Sequence, residues 1–158
     1  MRYDGQFRGW QALAEAVRDE LRESAWLLSL LGEQQKAILD RDADAILRSN
    51  EAIEEQLGEV HSRHEVRLTL MTDASQSDRL LPGDSIMDLA PHMPAALLPL
   101  FDALAAESRT LRTRINRKNE LNRRMLERAS RTTSDLLGIT RPGSVTRRRW
   151  SEMYWKCW

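Results

Sequence analysis

A chain of 158 residues holds one domain, or one elongated bundle with a tail, and 30% charged residues against only seven Gly and five Pro describe a helix-rich soluble protein. Its single cysteine, Cys157, excludes an intrachain disulfide and a cysteine-based metal centre, and fits a reducing compartment. The zero net charge hides an asymmetry: residues 1–90 hold 10 Lys/Arg and 18 Asp/Glu, a net −8, whereas residues 91–158 hold 14 and 6, a net +8.

Helices from the two halves can therefore attract one another along their polar faces, modestly and in a salt-dependent way. The same asymmetry leaves nucleic acid or anionic lipid open as partners of the basic half. At the N-terminus Arg2 and Asp4 lead into amphipathic sequence rather than a signal peptide, and the apolar run Ala25–Leu28 is far too short to span a bilayer. A cytoplasmic protein without membrane insertion is expected.

The first predicted helix covers about 7–39. Trp10, Leu13, Val17, Leu21, Ser24, Leu28, Leu31, Gln35 and Ile38 recur at alternating three- and four-residue spacing, close to a heptad seam. Leu27 and Leu30 widen the stripe, so this helix is expected to touch two neighbours. Asp40 to Asp44 reads as a tight connection, with Asp42 as N-cap and Asp44 favourably placed at the positive end of the next helix dipole.

Helix two is predicted over about 43–71, on a seam of Ile46, Asn50, Ile53, Leu57, Val60, His64, Arg67 and Met71. Residues 72–93 break the pattern with Ser, Asp, Pro and Gly and read as a connector. Within it Ser85–Asp88 has the order of a capping box for one short helical turn, which Pro91 would stop. Pro94 suits the first turn of a third helix over about 94–137. Its 4–3 alternation runs unbroken through Leu97, Phe101, Leu104, Ser108, Leu111, Ile115, Lys118, Asn122, Met125, Ala129, Thr132 and Leu136. At ~1.5 Å per residue this helix is about 65 Å long, against about 50 and 45 Å for the others, so part of the bundle is left uncovered. Residues 138–158 follow as a flexible tail in which Arg147, Arg148 and Arg149 precede Trp150, Tyr154, Trp155 and Trp158.

Little in this pattern supports catalysis. His61 and His64 stand three apart on a helix, but neither His-Glu-x-x-His nor its inverse is present, which leaves His61 on a polar face and His64 at a seam edge. Cys157 has no rigid site in which a base could activate it, and there is no phosphate-binding glycine loop. No enzyme activity, cofactor or metal is expected. The arginines flanking helix three, with the tail's tryptophans, could stack bases or meet a membrane surface, but Glu107, Glu120 and Glu127 dilute that field. The polar seam residues Ser108, Lys118, Asn122 and Thr132 either set register or leave the distal part of helix three open to a partner helix.

Two stretches carry a resemblance to a known family. Ala37–Leu47, with Arg41-Asp42 at its centre, resembles the Leu-x-x-(Arg/Lys)-Asp-x-x-x-Leu junction between the first two long helices of the FlgN-like flagellar export chaperones. Asn119-Glu120-Leu121-Asn122-Arg123-Arg124-Met125-Leu126 is similar to the Asn-x-x-Asn-x-x-Leu-Leu stretch of their last long helix. With helix order and length, the likeness spans about 10–137. It implies a cytosolic helical chaperone that holds the helical ends of hook–filament junction proteins and passes them to the export apparatus, with its C-terminal segment on the cargo.

The expectation is thus an all-α fold: an elongated antiparallel three-helix bundle, or coiled-coil hairpin, over 1–137, with a short connector helix. Asn119, Asn122 and Met125 would border the partner groove. Leu136, Leu137, Ile139 and Val145 would form an adaptable segment, with Trp150, Tyr154 and Trp155 as anchors. A self-associating structural coiled coil, with homodimerisation as its signature, is the alternative from a different class.

Overall fold

The computed structural model describes residues 2–75 and 85–136, with side chains over 8–74 and 85–133. Three long helices carry it: α1 (Arg2–Asp40), α2 (Ala43–Ser75) and α3 (Leu98–Leu136). The described residues contain no strand, so the expected all-α bundle is what the chain forms. Two 3-10 helices, Ile86–His92 and Ala95–Leu97, occupy the connector.

α1 is the central helix. Its Trp10 meets Phe101 near the start of α3, and its Leu31 and Gln34 meet Asn122 far along it, so α1 and α3 run parallel. Glu20 meets His64, Glu23 meets Gln56 and Gln34 meets Asn50, so α2 runs antiparallel to α1. This is an up-down-up order in which α1 does touch two neighbours. The third side is open: no Cα of α2 comes within 8 Å of one in α3. The 3-10 helix Ile86–His92 wedges between those two helices and buries Ile86, Leu89 and nearby Met93.

The core follows the seams read from spacing. Trp10, Leu13, Val17, Leu27 and Leu31 from α1 join Ile53, Leu57, Val60 and Met71 from α2 and Phe101, Leu104, Leu111 and Ile115 from α3 in one apolar cluster. Non-directional burial of these stripes, rather than helix propensity, holds helices of this length together.

The α1–α2 junction shows its chemistry residue by residue. Arg41 N–H donates to Ile38 O at 3.2 Å and Asp42 N–H to Ala37 O at 3.1 Å, the paired bonds of a Schellman C-cap. Asp42 then caps α2, its carboxylate accepting from Ala45 N–H at 2.9 Å, and Asp44 lies in the first turn, as expected. The Schellman geometry puts Arg41 at φ 56°, a left-handed conformation in which a Cβ is disfavoured. Arg41→Gly is therefore expected to raise stability by up to about 1 kcal/mol, the relief of that strain less the extra chain entropy of glycine. Thermal unfolding of the two proteins would show it as a small rise in Tm, whereas a fall would mean that the Arg41 side chain contributes more than its backbone costs.

Several element ends differ from the expected ones. α1 starts at Arg2 rather than near 7, and α2 continues to Ser75 rather than 71, with Thr72 Oγ1 donating back to Leu68 O and Ala74 still packed on the core. The capping box at Ser85 is present: Ser85 N–H donates to the Asp88 carboxylate at 2.7 Å and Ser85 Oγ accepts from Met87 N–H. Pro91 does not stop the helix, which tightens into 3-10 bonding and ends at His92. α3 starts at Leu98, not 94. Pro99 has no N–H with which to close an α-helical bond to Ala95, so residues 94–98 keep 3-10 bonds instead, Leu97 N–H to Pro94 O and Leu98 N–H to Ala95 O. α1 and α3 thus have equal lengths, about 58 Å each. What leaves α3 uncovered is register: Asn122 stands opposite Gln34, so the last two turns of α3 project past the α1–α2 junction, and residues 128–133 are all exposed.

Candidate functional site

The distal half of α3 is where the bundle changes character. Up to Ile115 the α3 seam buries Phe101, Leu104, Leu111 and Ile115, with half-buried Ser108 its one polar member; beyond it the seam passes through Lys118, Asn122 and Met125. Asn122, fully buried, donates from Nδ2 to Leu31 O and to Gln34 Oε1, both at 2.7 Å. Gln34 in turn donates to Asn50 Oδ1 on α2 at 2.6 Å. One polar layer therefore ties all three helices, although α2 and α3 do not approach each other. Lys118 Nζ donates to Gln35 Oε1, and Gln35 Nε2 reaches Met125 Sδ at 3.9 Å.

Such a layer costs stability relative to apolar packing, but a register slip would leave several buried amides unpaired, which fixes the pairing of α3 on α1. Of the residues expected to border a groove, Asn122 thus braces α3 from inside. Asn119 and Met125 are half-buried at the margin of the same layer. Leu136 is the last residue of α3, and its side chain lies outside the described residues. Leu137, Ile139, Val145, Trp150, Tyr154 and Trp155 lie outside them altogether.

Large apolar side chains are exposed at this end that the spacing did not single out. Leu39 and Leu47, on either side of the α1–α2 junction, and Leu121 on α3 are all open to solvent, and Leu126 is half-buried. The signal was available: each is a large apolar residue lying off its helix's 4–3 seam. Scattered exposed leucines are ordinary, but these gather where α3 loses its neighbours.

The basic face of α3 is partly neutralised within its own helix. Glu120 accepts from Arg123 at 2.8 Å and Arg124 at 2.7 Å, and Arg123 also reaches Glu127 at 2.6 Å. The hydrogen bonds from Arg123 and Arg124 hold the Glu120 carboxyl at about 2, and those to Glu120 and Glu127 raise Arg123 further. These are exposed, salt-screened pairs of the i,i+3 and i,i+4 type. The expected attraction between basic α3 and the acidic helices is thus not what Arg123 and Arg124 do; they bond along their own helix. Arg128 and Arg131 remain on the exposed, projecting end.

Nor does the expected position of His64 hold. It is buried in the α1–α2 seam rather than at its edge, with Nδ1 3.2 Å from Glu20 Oε1. Arg67 Nε donates to the other carboxylate oxygen at 2.6 Å. His61 stays half exposed near Glu65, and no cluster of metal-ligating side chains occurs among the described residues. No described helix is long and apolar enough to cross a membrane.

A partly polar brace, an uncovered helix end and apolar side chains around it suit the binding of another helix better than any chemistry on a small molecule. Comparison with known proteins points the same way. The family model described as "FlgN protein" matches residues 9–154, which extends the likeness well beyond residue 137 and through most of the Arg/Trp-rich segment. Neither the curated proteins nor the solved structures gave a match. With nearly the whole chain aligned to that model, the protein belongs to the FlgN family of flagellar export chaperones.

Proposed function

We propose that this chaperone binds the helical ends of hook–filament junction proteins in the cytoplasm and keeps them masked until they are handed to the export apparatus. One observation carries the reading: the last two turns of α3 project past the α1–α2 junction with residues 128–133 exposed, beside exposed Leu121 and half-buried Met125 and Leu126. An amphipathic cargo helix laid along this end would gain the hydrophobic contacts that α2 does not supply. Met125 adapts to differently shaped partners. Asn119, Met125 and Leu136 would line the seat, with Asn122 fixing α3 beneath it. Leu137, Ile139 and Val145 would close over the cargo, and Trp150, Tyr154 and Trp155 would anchor it. Burial contributes about 25 cal/mol per Å² of apolar area, reduced by the cost of ordering the segment that closes.

The test is light scattering coupled to size exclusion, on the full chain and on a 1–137 truncation, with junction proteins from the same genome. A one-to-one complex is expected with the full chain and not with the truncation, whose helical circular dichroism should be retained. A truncation that binds equally well would remove the tail from the mechanism. A stable homodimer that ignores every junction protein would replace the chaperone reading with that of a self-associating coiled coil.

A further inference from the structure

The side of α1 turned away from α2 and α3 carries a seam of its own. Asp19, Arg22, Trp26, Ser29, Glu33 and Lys36 follow one another at alternating three- and four-residue spacing, and all are exposed except half-buried Asp19. Trp26 stands at its centre, 54% exposed, on the same helix that buries Trp10. Small residues surround it. Ala25 and Ser29 are exposed beside it, and a Cβ added at Gly32 would meet nothing within 4 Å, so another helix can approach closely here.

The charges along this seam complement themselves. When two copies of α1 run antiparallel with Trp26 opposite Ser29, the same register sets Arg22 opposite Glu33 and Asp19 opposite Lys36. Two-fold symmetry makes each of these pairs twice. A parallel pair in register would instead set Arg22 against Arg22, Asp19 against Asp19 and Glu33 against Glu33, which like-charge repulsion disfavours. Within one chain Arg22 bonds Asp19 along the helix at 2.8 Å, and the antiparallel pairing extends that bond into a network rather than breaking it. At the ends of the register Glu15 meets Asp40, but Glu15 already holds Arg18 as its counter-charge.

We propose that this outer face of α1 pairs antiparallel with the same face of a second copy, each Trp26 packing over the other copy's Ser29 between two Arg22–Glu33 pairs. A central aromatic anchor with charged groups around it is the usual layout of a protein interface hot spot. The contact spans residues 19–36, about 27 Å of helix, which is small for a stable dimer. Charged side chains at seam positions also lose hydration on pairing. The dimer is therefore weak and concentration-dependent. It uses neither α3 nor the α1–α2 junction, so it goes beyond the cargo reading and does not rest on it.

The test is sedimentation equilibrium of the full chain over a hundredfold range of concentration. A reversible monomer–dimer equilibrium is expected, weakened roughly tenfold or more by W26A, by R22E and by E33R, with helical circular dichroism retained in all three. Each charge reversal alone sets like charges opposite one another in its own homodimer. An equimolar mixture of R22E and E33R pairs opposite charges throughout, and is expected to dimerise again. A parent that stays monomeric over the whole range would overturn the proposal, as would a dimer that W26A and R22E leave intact. A mixture that stays monomeric would overturn the antiparallel register. Cargo binding is scored separately, at concentrations where the chain is monomeric: R22E is expected to bind junction proteins as the parent does, and a loss confined to R22E would make this a cargo face rather than a seat for a second copy.

Discussion

Trp10→Ala is expected to destabilise the protein by about 3–5 kcal/mol, the range for emptying a buried aromatic site. Trp10 is 1% exposed and Phe101 is fully buried, and their rings meet edge to face, centroids 5.9 Å apart and planes at 77°. That contact is the aromatic tie between the start of α3 and the N-terminal part of α1, and its geometry adds about 0.5–1.5 kcal/mol beyond the area it buries. At this end α1, α3 and the 3-10 helix share one core, so the cavity left by Trp10 has few ways to collapse. Urea denaturation followed by far-ultraviolet circular dichroism measures the change. Trp26→Ala is the control: Trp26 is 54% exposed on the outer face of α1, and its loss should cost no more than about 0.5 kcal/mol. A Trp10→Ala protein within 1 kcal/mol of the parent would mean that α3 is held by its polar layer instead. Because Trp10 lies at the opposite end of α1 from the proposed cargo surface, the variant should still bind cargo wherever it remains folded.

The contrast between the two tryptophans was legible in the sequence, since Trp10 stands on the 4–3 seam and Trp26 does not. The same spacing located the large apolar core residues of the three helices, though not the buried alanines Ala14, Ala16, Ala37 and Ala105, and turn chemistry located the Asp42 cap. What spacing alone did not convey was which helix each seam faces. α1 packs against α2 through positions such as Glu20, Glu23 and Gln34 and against α3 through Trp10, Leu31 and Gln35, so it carries two overlapping stripes. A Glu or Gln on the second stripe looks like a residue of a solvated face until the neighbour is known. For that reason Glu20 and Gln34, both buried, passed unnoticed, as did Arg67's role, although its seam position was read. Charge totals do not name partners: net −8 against +8 says that attraction is available, whereas Arg123 and Arg124 find their acidic partners within α3. Of the polar seam residues, Lys118 and Asn122 meet α1 where periodicity placed them and Thr132 is exposed, but whether Asn122 faces a partner or a neighbouring helix depends on Gln34 being opposite it. The tail residues are read from their composition and the family likeness alone.

Glu20→Ala should rank with Trp10→Ala among the most damaging single changes, at about 3–5 kcal/mol, for an electrostatic rather than a packing reason. The carboxylate is 5% exposed, with Arg67 Nε at 2.6 Å and His64 Nδ1 at 3.2 Å, and Arg67 itself is only 12% exposed. Removing Glu20 takes from the part-buried Arg67 guanidinium the carboxylate it pairs with, which costs far more than the intact pair contributes. The double variant Glu20→Met, Arg67→Met removes both charges and fills similar volume, so it should be markedly more stable than Glu20→Ala. If the double variant is as unstable as the single one, the site's contribution is packing and the electrostatic account fails. Acid unfolding supplies an independent check. Burial pushes the Glu20 carboxyl up, but the hydrogen bond from His64 and the charge of Arg67 outweigh it, and the group is held below its ordinary 4.5. A carboxyl lowered in the folded state contributes stability that is fully present above pH 4.5 and is lost as pH falls through the folded value. Denaturation midpoints of the parent should therefore drop on acidification below pH 4.5, and Glu20→Gln, less stable at neutral pH, should show a shallower drop. The two curves converge toward acid because the protonated parent then carries the same neutral side chain that the variant carries at every pH.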